Sequence, residues 1–169
     1  RPFGREGDIH IYTEENVAEA IETRIPYVFR ENRYPGVPNL KIHRVTTEPF
    51  MAAGIEIIPI RVMHGRLPIL GFRIGNMAYL TDLKSLPEEE YAKLEGLDVL
   101  IITALRWEEH PTHESVGEAL EQIGRIRPKE SYLIHMSHRI GLQSQVEKEL
   151  PPHVHLAYDQ LGIPKLQPI

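Results

Sequence analysis

The stretch PIRVMHGRLPILGFRIGNMAYLTD, residues 59–82, indicates consecutive β-strands that end in polar side chains. Its first apolar run ends at His64. A Gly75-Asn76 pair between two further apolar runs is typical of a hairpin, and the second strand of that hairpin ends at Asp82. The stretch therefore predicts a sheet with metal-competent side chains at two of its strand ends.

Strand and helix patterns alternate on both sides of this stretch. They predict further strands over residues 8–13, 41–45, 98–104, 131–135 and 153–159, and helices over residues 14–24, 87–97 and 143–150. Another helix begins after Ser115, which forms a capping box with Glu118 ahead of an apolar periodicity. Alternating strands and helices favour an α/β layered fold, and we expect residues 1–169 to form a single domain.

Composition limits the possible partners. The formal net charge is -5 and acidic and basic residues are mixed along the chain, which disfavours extended nucleic acid as a partner. No apolar run approaches the roughly 20 residues of a membrane helix, so we expect a cytoplasmic protein without a membrane partner. The chain has no cysteine, so any metal must be held by His, Asp or Glu.

Three predicted strands end in a residue that can bind a metal, namely His64, Asp82 and His135. Sheets place functional residues at strand ends, because the core fixes the side chain while the loop leaves it accessible. Imidazole and carboxylate are ligands expected for zinc or manganese. A single His or Asp after a strand is more often only a turn residue, and that alternative stays open for each of the three.

The segment HPTHES places His110 and His113 directly before a predicted helix N-terminus. Free N–H groups and the helix dipole favour an anion such as phosphate there, and an imidazole beside it could protonate a leaving oxygen. A histidine that helps to cap the helix is the alternative, and composition does not separate the two.

Together these segments resemble the C-terminal half of a metallo-β-lactamase-fold hydrolase, an αββα sandwich. The resemblance is carried by residues 59–82, 110–123, 131–140 and 155–163. By pattern the sequence is most similar to phosphodiesterases of the phosphoribosyl 1,2-cyclic phosphate type. The resemblance implies hydrolysis of a small phosphodiester substrate by water activated between two divalent metal ions, Zn or Mn.

The resemblance also implies individual roles. His64 and His135 would each bind a metal, Asp82 would bridge the two ions, and His113 would protonate the leaving alkoxide. Ile134 stands where relatives have Thr, a small departure from their pattern. His110, His138 and Asp159 would contact the substrate or support a ligand.

The sequence departs from the family in lacking its HxHxDH signature, which supplies most of the ligands. We therefore expect an incomplete sandwich, the C-terminal two-thirds of such a hydrolase, which by itself is inactive and holds metal weakly or not at all. Strands lost upstream would leave a sheet edge and apolar surface exposed, so a homo-oligomer is one expected consequence. Two other functions stay open: a tRNA-processing-type nuclease of the same fold, and a non-catalytic α/β binding module.

Overall fold

The computed structural model describes residues 7–32, 34 and 36–163. The chain divides into two compact units, with the boundary between Glu48 and Pro49. The single domain expected from the sequence stays a prediction. No helix among the described residues is long and apolar enough to cross a bilayer.

The first unit contains a two-stranded parallel sheet, β1 (Ile9–Thr13) and β2 (Leu40–Arg44), and helix α1 (Glu15–Arg24), which a short 3₁₀ helix follows. Both predicted strands and the predicted helix are confirmed. The guanidinium of Arg44 binds the carboxylates of Glu15 and Glu22, so that β2 is tied to α1 by exposed ion pairs.

The second unit is built on a seven-stranded mixed sheet with the order β3-β4-β5-β6-β7-β8-β9. Its strands are β3 (Phe50–Ala52), β4 (Ile55–His64), β5 (Leu67–Ile74), β6 (Met77–Leu80), β7 (Val99–Thr103), β8 (Glu130–Ile134) and β9 (Val154–Leu156). Its helices are α2 (Val116–Ile126), the single turn α3 (Gln143–Val146) and two 3₁₀ segments, Glu88–Leu94 and His138–Ile140. The α/β fold class is confirmed.

Strand direction determines where the functional side chains meet. Strand β5 is antiparallel to both β4 and β6, whereas β6, β7, β8 and β9 are mutually parallel. Strands β4, β6, β7 and β8 therefore run in one direction, and their carboxyl ends lie at one edge of the sheet. His64, Asp82 and His135 all follow such ends.

The core lies between one face of this sheet and helix α2. Leu100, Ile102 and Leu133 are fully buried on that face, and Val116 and Ala119 of α2 belong to the same apolar cluster. The predicted capping box is present. The Ser115 hydroxyl accepts a hydrogen bond from the backbone N–H of Glu118, and the Glu118 carboxylate accepts one from the backbone N–H of Ser115. Cap and apolar stripe together hold the loop before α2 against the strand ends.

Three details differ from the sequence predictions. The short helix predicted over residues 87–97 is a 3₁₀ helix over Glu88–Leu94, and its Glu90 carboxylate accepts a hydrogen bond from the backbone N–H of Arg61 in β4. The helix predicted over 143–150 has only one turn. Strand β3 was not predicted; it pairs only with residues 55–57 of β4, which leaves Pro59 at an unpaired edge that tolerates its missing N–H.

Candidate metal centre

Two of the strand-end residues adopt a left-handed backbone conformation, with φ of 56° at Asp82 and 63° at His135. Such a conformation costs a non-glycine residue roughly 1 kcal/mol or more. It ends each strand abruptly and turns the chain at the point where the side chain leaves the sheet. This local strain occurs at two of the residues that the sequence singled out.

The structure brings the predicted residues together around the carboxylate of Asp82. Its Oδ1 lies 3.4 Å from Nε2 of His113 and 3.5 Å from Nε2 of His135. One ligand atom from each of His64, Asp82 and His113 lies within 4.8 Å of the other two. The His113 ring stacks on that of His135 with centroids 4.8 Å apart, and it meets His64 edge-on at 4.5 Å. The cluster of these four residues is the candidate site.

Backbone pairing holds His113 in the cluster. The next residue, Glu114, donates its N–H to the carbonyl of Leu83 and accepts a bond from the N–H of Leu105. This bridging residue therefore links the chain after Asp82 to the chain after β7. His113 is carried to the strand ends by main-chain hydrogen bonds, which the sequence pattern did not reveal.

Burial and neighbouring groups shift the pKa values of Asp82 and His113. Burial opposes ionisation of Asp82, but the hydrogen bond from Thr81 and the neighbouring rings of His135 and His113 hold the pKa of this carboxyl below its usual value. Burial lowers the pKa of His113, and the hydrogen bond to Asp82 only partly offsets that effect. The lowered pKa of the Asp82 carboxyl favours its ionised form and the lowered pKa of the His113 imidazole favours its neutral form, and both forms suit a neighbouring cation.

The donor set fits a divalent ion. Imidazole and carboxylate donors without thiolate suit zinc or manganese. An ion with bonds of about 2.1 Å spans donors up to roughly 4.2 Å apart, so donors within 4.8 Å of one another close on one ion with small side-chain movements. His64 and His135 as ligands and Asp82 as the bridging carboxylate remain predictions, as does the acid role of His113.

The other predicted residues lie in different positions. His110 adjoins the cluster, with its Nδ1 3.3 Å from Nδ1 of His113. His138 is exposed at the start of the short 3₁₀ helix after β8, and Asp159 is exposed beyond β9. Their roles toward a ligand or substrate stay predictions. Thr112, which the sequence analysis did not single out, contacts several of the histidines.

The seven-stranded sheet and the histidine-carboxylate cluster at its carboxyl edge define a protein of the metallo-β-lactamase fold. The chain belongs to the Beta-lactamase superfamily domain family, whose sequence model matches residues 1–136. The resemblance inferred from the sequence is confirmed.

Comparison with individual proteins gives one similar curated sequence and several similar structures. The chain is 46% identical over 156 residues to an octanoyltransferase of Porphyromonas gingivalis (strain ATCC BAA-308 / W83), covering 91% of this chain and 32% of that protein. It is 31% identical to a diphosphatase from the PhnP family, with a TM-score of 0.83, covering 92% of this chain and 57% of the other. Human tRNase Z, short form, has the same fold at 19% identity, with a TM-score of 0.67 and coverage of 93% and 68%. The chain thus spans about a third of the length of that octanoyltransferase.

Proposed function

We propose that this chain supplies part of the active centre of a metal-dependent phosphodiesterase that acts on a small phosphodiester, cyclic or linear. The observation that carries the proposal is the convergence of His64, Asp82, His113 and His135 at one edge of the sheet. The 31% identity to a diphosphatase supports phosphorus as the site of attack, because that relative's name also describes P–O bond cleavage.

In this proposal His64 and His135 hold divalent metal through neutral nitrogens, and Asp82 contributes the negative charge between them. When bound, zinc or manganese polarises the phosphoryl oxygens and lowers the pKa of water. His113 has its Nε2 3.4 Å from Oδ1 of Asp82, and in this proposal it delivers a proton to the leaving oxygen.

The donor count limits what the chain does alone. The two imidazoles of His64 and His135 and the carboxylate of Asp82 give three protein ligands, enough for a single ion, whereas a second ion needs further ligands. The HxHxDH motif that supplies them in similar enzymes is absent from this sequence. We infer that this chain alone binds at most one ion weakly, and that turnover requires ligands from outside it.

The assay compares this chain with a longer polypeptide that carries it behind an HxHxDH-bearing segment. Each is supplied with Mn²⁺ or Zn²⁺ and with bis-p-nitrophenyl phosphate, and p-nitrophenyl octanoate serves as the contrasting acyl substrate suggested by the octanoyltransferase relative. We expect the longer polypeptide to cleave the diester and not the octanoate, and Asp82→Ala to abolish that activity. Cleavage of the octanoate alone would overturn the proposal.

The tRNA-processing alternative is tested on the same samples. The net charge of -5 disfavours a long polyanion, so we expect no cleavage of a precursor tRNA under conditions in which the small diester is hydrolysed. Preference for the precursor tRNA would assign the site to the nuclease class instead.

A further inference from the structure

Thr112 meets a different imidazole with each of its three hydrogen-bonding groups. Its carbonyl oxygen lies 2.9 Å from Nδ1 of His64. Its backbone nitrogen lies 3.4 Å from Nδ1 of His110, and its hydroxyl oxygen lies 3.0 Å from Nδ1 of His113. Thr112, the second of the two residues between the histidines of HPTH, is therefore in contact with three rings at once.

The chemistry of the two backbone groups fixes two tautomers. A carbonyl only accepts, so Nδ1 of His64 must carry the proton, which leaves Nε2 as the bare nitrogen of the neutral ring. An amide N–H only donates, so Nδ1 of His110 must be bare and its proton must reside on Nε2.

The hydroxyl completes the assignment at His113. The carboxylate oxygen Oδ1 of Asp82 lies 3.4 Å from Nε2 of this ring and can only accept a hydrogen bond. Nε2 therefore carries the proton and Nδ1 is bare. The Thr112 hydroxyl has one proton to give. It goes to His113 at 3.0 Å, because Nδ1 of His110 is farther away, at 3.3 Å, and already accepts the backbone N–H.

The hairpin turn between β4 and β5 holds Thr112 in place. Gly65 has φ of +62°, and a Cβ added there would lie 3.1 Å from Cγ2 of Thr112 and 3.6 Å from the carbonyl oxygen of Pro111. Because Gly65 lacks a side chain, the threonine methyl packs directly against the turn that follows His64. The threonine is thus fixed relative to the strand end that carries the first histidine.

We propose that Thr112 is a positioning residue that sets the tautomers of His64, His110 and His113 together. His64 then presents a bare Nε2, the nitrogen that can bind a metal, and His113 presents an N–H at Nε2, the group that can protonate a leaving oxygen. The consequence for metal binding rests on the proposed function, whereas the tautomers themselves do not.

The test uses Thr112→Val, which keeps the shape and both backbone groups but removes the hydroxyl, and Thr112→Ser, which keeps the hydroxyl and removes the methyl. Long-range ¹H–¹⁵N NMR on the metal-free chain at a pH where the rings are neutral reports each tautomer. Amide spectra confirm that both variants fold.

In Thr112→Val, we expect the His113 tautomer ratio to move about three- to tenfold toward Nδ1–H, the factor that loss of one hydrogen bond gives. The freed Nδ1 can then donate to Nδ1 of His110. His64 should stay protonated at Nδ1 because its partner is a backbone carbonyl, and Thr112→Ser should restore the wild-type His113 signals. An unchanged His113 ratio in Thr112→Val, or a wild-type His64 protonated at Nε2, would overturn the inference.

Metal titration separates this inference from the proposed function. Thr112→Val leaves the carbonyl partner of His64 in place and changes only the hydroxyl contact of His113, which is not a ligand in the proposed function, so we expect unchanged Zn²⁺ affinity in both Thr112 variants. A shifted His113 tautomer together with Zn²⁺ affinity weakened by about 10- to 100-fold in Thr112→Val, the usual effect of disturbing the surroundings of a ligand, would identify His113 as a ligand; that result would contradict the proposed function and leave the tautomer assignment standing. Unshifted tautomers would overturn the assignment whatever the metal does.

Discussion

Nε2 of His113 lies 3.4 Å from Oδ1 of Asp82, although the two residues are 31 positions apart in the chain. The contact joins the loop before α2 to the end of β6. It places the group proposed to move a proton against the group proposed to hold metal, so substitutions at the two positions should have different effects.

Asp82→Asn should weaken Zn²⁺ and Mn²⁺ binding by at least about tenfold, because it removes the negative charge that the neighbouring imidazoles cannot replace. Competition with a chromophoric chelator measures the dissociation constant. The matched control is Asp98→Asn, which removes a carboxylate that pairs with Lys129 at the opposite end of the sheet. Equal binding by the two variants would remove Asp82 from the metal site.

His113→Ala should lower turnover of the longer, active polypeptide by about 10²- to 10⁴-fold for a poor leaving group, the usual contribution of a general acid. The loss should shrink for p-nitrophenolate, which leaves without a proton. Metal stoichiometry should stay unchanged. Loss of metal together with equal losses for both leaving groups would identify His113 as a ligand instead, which its place among the cluster donors also permits.

Glu114 should make stability depend on pH. Its side chain is 1% exposed, and burial raises the pKa of this carboxyl from 4.5 to about 8. The folded state therefore holds the proton more tightly than the unfolded state. The resulting stability is complete below the unfolded pKa and is lost as pH rises toward about 8, at roughly 1.4 kcal/mol per pH unit.

Denaturant unfolding of wild type and Glu114→Gln between pH 5 and pH 8 tests this expectation, with the exposed Glu121→Gln as the control. The free energy of unfolding of Glu114→Gln should not fall with rising pH in this way, whereas that of Glu121→Gln should fall as it does in the wild type. Parallel curves for wild type and Glu114→Gln would show that Glu114 is ionised in the folded protein.

Gly71→Ala should destabilise the second unit by about 1 to 3 kcal/mol, the usual cost of overpacking a core. A Cβ there would lie 2.5 Å from Cδ2 of Leu80 and 2.9 Å from the carbonyl oxygen of Tyr79, where β5 packs against β6. In contrast, Gly124→Ala in α2 meets no atom within 4 Å and should stabilise by about 0.5 to 1 kcal/mol through helix propensity. Thermal unfolding of both variants checks the opposite signs.

Local chemistry explains what was predictable. The Gly75-Asn76 turn, the Ser115 capping box and the apolar runs that end at His64 and Asp82 depend on residues close in sequence, and the structure contains all of them. The resemblance to the metallo-β-lactamase fold rested on the same short motifs. The helix over residues 87–97 was predicted but its 3₁₀ form was not, and its contact with Arg61 of β4 lies outside any local pattern.

Tertiary structure alone decided how the site is assembled. Alternation and helical periodicity specify which face of an element is buried, but they carry no information on which strands pair or in which direction. The parallel pairing of β6, β7 and β8 brings Asp82 and His135 to one edge, and main-chain bonds from Glu114 carry His113 to them. The contacts of Thr112 with His110 and His113 are local, but the bond between its carbonyl oxygen and His64, 48 positions away, depends on that assembly, because a backbone carbonyl is the same in every residue and acquires such a partner only when distant segments meet.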